Sequence, residues 1–375
     1  MGQNPLFRFR LSVYRHRNRL LQIVRVWTNA FNSSNKLIRF LTYRRALTLL
    51  LAKRFESKSK KSFSNAEPTL APVATLQAEL CGFKIASPTM LASGVLGISF
   101  DLFPRIIQSG CGAIVSKSIG SEPREGYRNP TMTGVEAGYL NAIGLANPGA
   151  EEFARELEEE YSKKPVPLIV SVFADSAEHF GELIRKFDRF SFLGFELNLS
   201  CPHVKAVGSE IGSEPQEAAE VVKATRVETK KPIFAKMPAT IINVPDWAKA
   251  VEASGANAIV AINTIRAMKI DIQSRKPVLS NKIGGLSGSA IKPVAIRSVY
   301  EIYENVKIPI VGVGGVTRSE DAIEFFLAGA RAVQIGSALG QEYLNSFQNV
   351  NRGIREYLGA NHFTNIEEIV GLAHR

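Results

Sequence analysis

The chain has 375 residues, 45% apolar and 22% charged, the balance of a soluble globular protein with enough length for one large domain or two ordinary ones. No apolar run approaches the roughly 18 to 20 residues of a membrane-spanning helix. Three scattered cysteines (Cys81, Cys111, Cys201) without a CxxC pair argue against a disulfide framework, a metal site or a cluster held by this chain alone, and fit a reducing, cytoplasmic setting. The net charge of +11 is local: fifteen Lys or Arg and one acid, Glu56, lie between Met1 and Lys61, so that segment carries +14 and the remainder −3. A nucleic-acid partner is therefore not expected for the body of the chain.

Residues 1–72 read as a basic leader and linker, and residues 73–375 as the functional domain. The leader has no acid before Glu56, and "ESKSKKSFSNAEPTLAP" has the Ser, Lys and Pro content of a linker. Three readings of the leader stand: a targeting peptide, a segment that binds an anionic membrane or another polyanion, or translation from a start placed too far upstream. "TLQAELCGFKIAS" follows and reads as a hairpin suited to plugging the bottom of a barrel.

From there one grammar repeats. The apolar, β-branched runs "PTMLAS", "GAIVSKS", "VPLIVSVFA", "LGFELNLS", "KPIFAKMP", "NAIVAINT", "IPIVGVGG" and "RAVQIGS" each stop at small or polar residues. Amphipathic segments at 177–187, 215–228, 245–254, 290–303 and 319–328 separate several of them. Eight such alternations predict a (β/α)8 TIM barrel in the α/β class, with reacting groups at the C-terminal strand ends. Those ends carry Ser93, Lys117 and Ser118, Ser171, Asn198, Lys236, Asn263 and Thr264, Gly314 and Gly315, and Gly336 and Ser337. Each alone is an ordinary surface residue; their recurrence at one face selects a site. The glycines on two consecutive strand ends put bare backbone amides where barrels hold a phosphate, of a substrate or of a cofactor.

"NLSCPH", "NAIGLANPG", "INTIRAMKIDIQSRKPVLSNKIGGLSG" and "VGVGGV…AGARAVQIGS", in that family's order, resemble the class 1 dihydroorotate dehydrogenases. The match is closest to the catalytic chain of the NAD-linked class 1B, in its archaeal-like versions, and runs from about Val73 to the C-terminus. The resemblance implies oxidation of dihydroorotate to orotate in pyrimidine synthesis, with an FMN whose phosphate sits on Gly314, Gly315, Gly336 and Ser337. Ser93, Lys117, Ser118, Ser171, Asn198, Lys236, Ile262 and Gly288 fall on positions around the rest of FMN. Lys117, Asn141, Ala142, Ile143, Gly144, Leu145, Asn198, His203, Asn263 and Thr264 fall on substrate positions, and Cys201 on the catalytic base. The same resemblance implies a partner subunit carrying FAD and a 2Fe–2S cluster that passes electrons to NAD, and a homodimer or heterotetramer.

His203 stands where many relatives have Asn, and Ala146 and Ala267 depart from commoner residues. "CPH" also occurs in dihydropyrimidine dehydrogenases, which reduce uracil-like rings; the loop 141–149 follows the orotate enzymes instead. A non-catalytic phosphate-binding barrel with a surface-binding leader is the reading from another class. Cys81 and Cys111 read as packing residues.

Overall fold

The eight apolar runs form a closed, all-parallel barrel in a computed structural model that describes residues 74–200 and 211–375. The strands are Thr89–Leu91 (β1), Ala113–Val115 (β2), Leu168–Val172 (β3), Gly194–Asn198 (β4), Ile233–Lys236 (β5), Ala258–Ala261 (β6), Ile310–Val313 (β7) and Ala332–Ile335 (β8). Each pairs with its neighbours in chain order, and β8 closes on β1 with Gln334 opposite Met90. The expected (β/α)8 barrel is thus the fold. These residues belong to one compact unit, Leu70–Arg375, and the basic leader lies outside the described residues.

The longer helices among the described residues are Phe103–Gln108 (α1), Ala150–Glu159 (α2), Ala177–Phe187 (α3), Pro215–Arg226 (α4), Val244–Ala253 (α5), Lys292–Tyr303 (α6), Ser319–Leu327 (α7) and Asn345–Ala360 (α8). Their starts are written in the sequence. Ser176 accepts from the N–H of His179 (3.2 Å) ahead of α3, and Asn243 accepts from the N–H of Asp246 (3.3 Å) ahead of α5. Prolines occupy the first turn of α1, α4, α5 and α6, where the missing N–H leaves no intrahelical bond unmade. The amphipathic pattern predicts α6 from Ala290; residues 289–291 wind as a 3-10 turn instead, so the helix begins at Lys292.

Strand alternation separates two cores. Leu91, Ile114, Val170, Leu197, Ala235, Ile259 and Val333 face outward and pack with helix residues such as Phe103, Phe153, Trp247 and Phe325. Met90, Ala113, Ile169, Phe234, Val260, Val311 and Ala332 fill the barrel. Ala78, Leu80 and Ile85, from the antiparallel pair Ala78–Leu80 and Phe83–Ile85, join that interior cluster. The Cys81 thiol meets the carbonyl of Asn257, directly before β6, at 3.4 Å. The hairpin therefore plugs the N-terminal end, as its sequence suggested, and burial of Leu80 and Ile85 contributes roughly 1.5–3 kcal/mol each. The C-terminal end is left for the site.

Two excursions leave the barrel at that end. Met132–Val135 and Gly138–Asn141 arise between β2 and α2, and Ile265–Met268 and Ile283–Ser287 between β6 and α6. They pair into a four-stranded antiparallel sheet, with Gly138–Asn141 beside Ile283–Ser287.

Candidate functional site

Polar side chains from five strand ends meet at the C-terminal rim. Ser118 Oγ lies 3.2 Å from Ser93 Oγ and 2.9 Å from Ser171 Oγ, and accepts from Asn198 Nδ2 at 3.2 Å. Asn263 Nδ2 donates to Asn198 Oδ1 at 3.2 Å, and Asn263 Oδ1 accepts from the N–H of Thr264 at 2.8 Å. The chain spans β1, β2, β3, β4 and the residues after β6. It leaves amide donors on Asn198 and Asn263 that are not consumed within it. Ile262 is buried behind it, its N–H donating to the carbonyl of Val313 at 2.8 Å.

The four-stranded sheet brings the second group of residues to the same end. Asn141 pairs with Gly285, and its Nδ2 donates to the Gly285 carbonyl at 3.3 Å. A Cβ at Gly285 would overlap Thr264 Oγ1, so the absence of a side chain there admits Thr264 beside Asn141. The loop Ala142–Leu145 is pinned by neighbours rather than free: Ala142 N–H donates to the Thr131 carbonyl (2.7 Å) and Tyr127 N–H to the Ile143 carbonyl (3.0 Å). Asn147, buried and not singled out from sequence, organises the turn. Its Oδ1 accepts from Gly120 and Gly149, and its Nδ2 donates to the Leu145 carbonyl at 2.8 Å.

Beside this rim lies a concentration of backbone donors. Val313 pairs with Gln334, so Gly315 and Gly336 each stand two residues past a paired position on adjacent strands. Among the described residues, the N–H groups of Gly314, Gly315, Gly336 and Ser337 make no hydrogen bond to the protein. Unpaired, half-enclosed backbone donors of this kind are rare and suit an anion. Gly314 and Gly315 have φ of +125° and +82°, and a Cβ at Gly315 would lie 2.8 Å from Lys292 Cβ and 2.9 Å from the Gly288 carbonyl. Lys292, paired with Asp321 at 2.8 Å, holds that loop from below. Asp321 in turn accepts from the N–H groups of Thr317 (2.9 Å) and Arg318 (3.1 Å).

Two lysines reach this end in different states. Lys117 is half-buried, and its ammonium has no hydrogen-bond or ion-pair partner among the described residues; burial holds its pKa below the usual 10.5. Lys236, at the end of β5, is buried against Glu196 (3.3 Å) and Gln334 (3.4 Å). Glu196 and Gln334 were missed from sequence, although a Glu inside "LGFELNLS" and a Gln inside "RAVQIGS" break otherwise apolar runs. Cys201 and His203 lie outside the described residues. Cys111 is buried and donates to the Ala113 carbonyl at 3.0 Å, and burial pushes its thiol and that of Cys81 up to about 12, as befits packing residues.

Comparison with known proteins identifies the family. The family model described as dihydroorotate dehydrogenase matches residues 75–358. A relative from Thermococcus kodakarensis, "Dihydroorotate dehydrogenase B (NAD(+)), catalytic subunit", is 46% identical over 301 residues, covering 80% of this chain and 99% of the relative. Proteins of the same name from Pyrococcus abyssi and Methanocaldococcus jannaschii are 44% and 43% identical, each over 80% of this chain.

Proposed function

The chain belongs to the dihydroorotate dehydrogenase family, and from that premise we propose that it oxidises (S)-dihydroorotate to orotate in pyrimidine synthesis with a bound FMN. The observation that carries this reading is that the C-terminal barrel end carries Lys117, the amides of Asn141, Asn198 and Asn263, and the backbone donors of Gly314, Gly315, Gly336 and Ser337, the ammonium and those backbone donors being unpaired among the described residues.

The substrate is a flat ring with amide edges and one carboxylate. The Lys117 ammonium and the backbone N–H groups of Ile143, Gly144 and Leu145 suit the carboxylate, with Ala142, whose N–H is held by the Thr131 carbonyl, fixing the start of that loop. Asn141, Asn198 and Asn263 each offer a donor and an acceptor, as an imide edge requires, with Thr264 adding a hydroxyl. The residues also fit FMN: a phosphate monoester matches the donors of the two glycine turns that are unpaired among the described residues, and Ser93, Lys117, Ser118, Ser171, Asn198, Lys236, Ile262 and Gly288 supply polar and apolar contacts around the rest of it. When bound, FMN accepts the hydride that leaves C6 of the substrate. Cys201 takes the proton from C5; an ordinary thiol, at about 8.5, needs little tuning for this role. His203 offers the ring one further hydrogen bond.

The relatives' printed names combine NAD with "catalytic subunit". They support a partner subunit, and we assign to it the FAD and the 2Fe–2S cluster that carry electrons onward to NAD, in a homodimer or heterotetramer in the cytoplasm. Among the described residues no helix is long and apolar enough to cross a membrane.

The test is spectroscopic. Purified protein is expected to be yellow, and anaerobic dihydroorotate is expected to bleach its flavin absorbance with release of one orotate per flavin. A colourless barrel that binds liposomes, or a flavin oxidised by uracil but indifferent to dihydroorotate, would overturn the reading.

A further inference from the structure

Three polar side chains from β4, β5 and β8 form a closed ring inside the barrel. Lys236 Nζ donates to Glu196 Oε1 (3.3 Å) and to Gln334 Oε1 (3.4 Å), and Gln334 Nε2 donates to Glu196 Oε2 (2.7 Å). The side chains of Glu196 and Lys236 are 1% and 7% exposed. Around them the interior is otherwise filled by Ile169, Val260, Val311 and Val313. Stability alone does not explain such a ring, because a buried ion pair is commonly no better than an apolar replacement of equal volume. The ammonium also has a third proton, and no further acceptor for it exists among the described residues. Lys236 is in register with Asn198 at the polar rim, and Glu196 stands two residues earlier on β4, so the ring runs from the rim to the layer beneath it.

We propose that Glu196, clasped by Gln334, positions the Lys236 ammonium and offsets part of its charge, and so sets the reduction potential of the bound flavin. This rests on the reading that Lys236 faces FMN. Reduced flavin carries negative charge. An uncompensated ammonium favours the reduced form, and a carboxylate beside that ammonium opposes it. Glu196 acts through Lys236 and is a positioning residue. Its carboxylate keeps the flavin a weaker oxidant than Lys236 alone would make it, which favours onward release of electrons.

The experiment is a spectroelectrochemical titration of the FMN-loaded enzyme, with FMN dissociation followed by fluorescence. Glu196→Gln is expected to favour reduced over oxidised FMN by about tenfold, a rise of about 30 mV for a two-electron couple. Glu196→Asp, which keeps the charge, returns most of the way to wild type. Lys236→Met lowers the potential. Gln334→Leu is the independent arm should Glu196→Gln not load FMN: both charges remain, but the carboxylate is released, and a smaller rise is expected. Wild-type potentials in the Glu196 and Gln334 variants, with Lys236→Met still shifted, overturn the role of Glu196. Wild-type potential and FMN affinity in Lys236→Met overturn the underlying placement of Lys236 instead.

Discussion

Replacing Lys117 by Met separates a binding lysine from a structural one. The backbone N–H of Lys117 donates to the Gly97 carbonyl at 2.8 Å, a bond the substitution keeps. The side chain is half-buried and unpaired among the described residues, and burial lowers its pKa, so the free protein holds this charge at a cost. Met has similar length and no charge. The apo variant, without FMN or orotate, is therefore expected to melt at the wild-type temperature or above it. A hydrogen bond between charged groups contributes about 1.5–3 kcal/mol, so orotate binding is expected to weaken roughly 10- to 150-fold. Uracil, which lacks the carboxylate, should bind the variant as it binds wild type. The pH dependence follows from the sign of the shift. A bound carboxylate favours protonated Lys117, so orotate affinity is highest below the free-state pKa and falls as pH rises through it, beginning below the usual 10.5. The variant lacks that alkaline loss. Calorimetric titration and thermal melts provide the measurements. An orotate affinity within twofold of wild type, together with a fall of several degrees in Tm, would show that Lys117 is structural and refute the argument.

Other substitutions probe the anion loop and the base. Gly315→Ala places a Cβ 2.8 Å from Lys292 Cβ at a φ of +82°; strain and overpacking together predict a cost of about 2–5 kcal/mol and a matching loss of FMN affinity, read by flavin fluorescence. Cys201→Ala is expected to retain FMN and to lose most turnover; unchanged steady-state activity would remove the base assignment. For Asp321, burial alone would raise the pKa, but Lys292 and Thr317 hold it below the usual 3.8. Its contribution is thus fully present above about pH 4 and lost as pH falls through the lowered folded value. Asp321→Asn should cost roughly 1–3 kcal/mol near neutrality and flatten the acid limb of stability against pH; an unchanged acid slope in urea titrations counts against the pair.

Much of the barrel was legible in the sequence. Strand interiors alternate between residues that meet helices and residues that fill the core, and their ends carry Ser, Lys, Asn or Gly, so both fold and functional face follow from local pattern. Ser176 and Asn243 marked helix starts through bonds only three residues long. The four-stranded sheet was not legible. Its strands come from segments more than a hundred residues apart, and Gly/Pro-rich runs such as "NAIGLANPG" read as loops until Gly138–Asn141 meets Ile283–Ser287. Glu196, Gln334 and Asn147 were passed over for a related reason: a polar residue in an apolar run shows no purpose until its partner is in place.

The sequence by itself determined which residue types stand at which strand ends, because hydrophobic periodicity and turn chemistry act over a few residues. Tertiary structure alone decided which of them touch: Asn198 with Asn263, Asn141 with Gly285, Lys236 with Glu196 and Gln334. Those contacts depend on closure of the barrel and on register between distant strands, and a one-residue slip would turn every inward side chain outward.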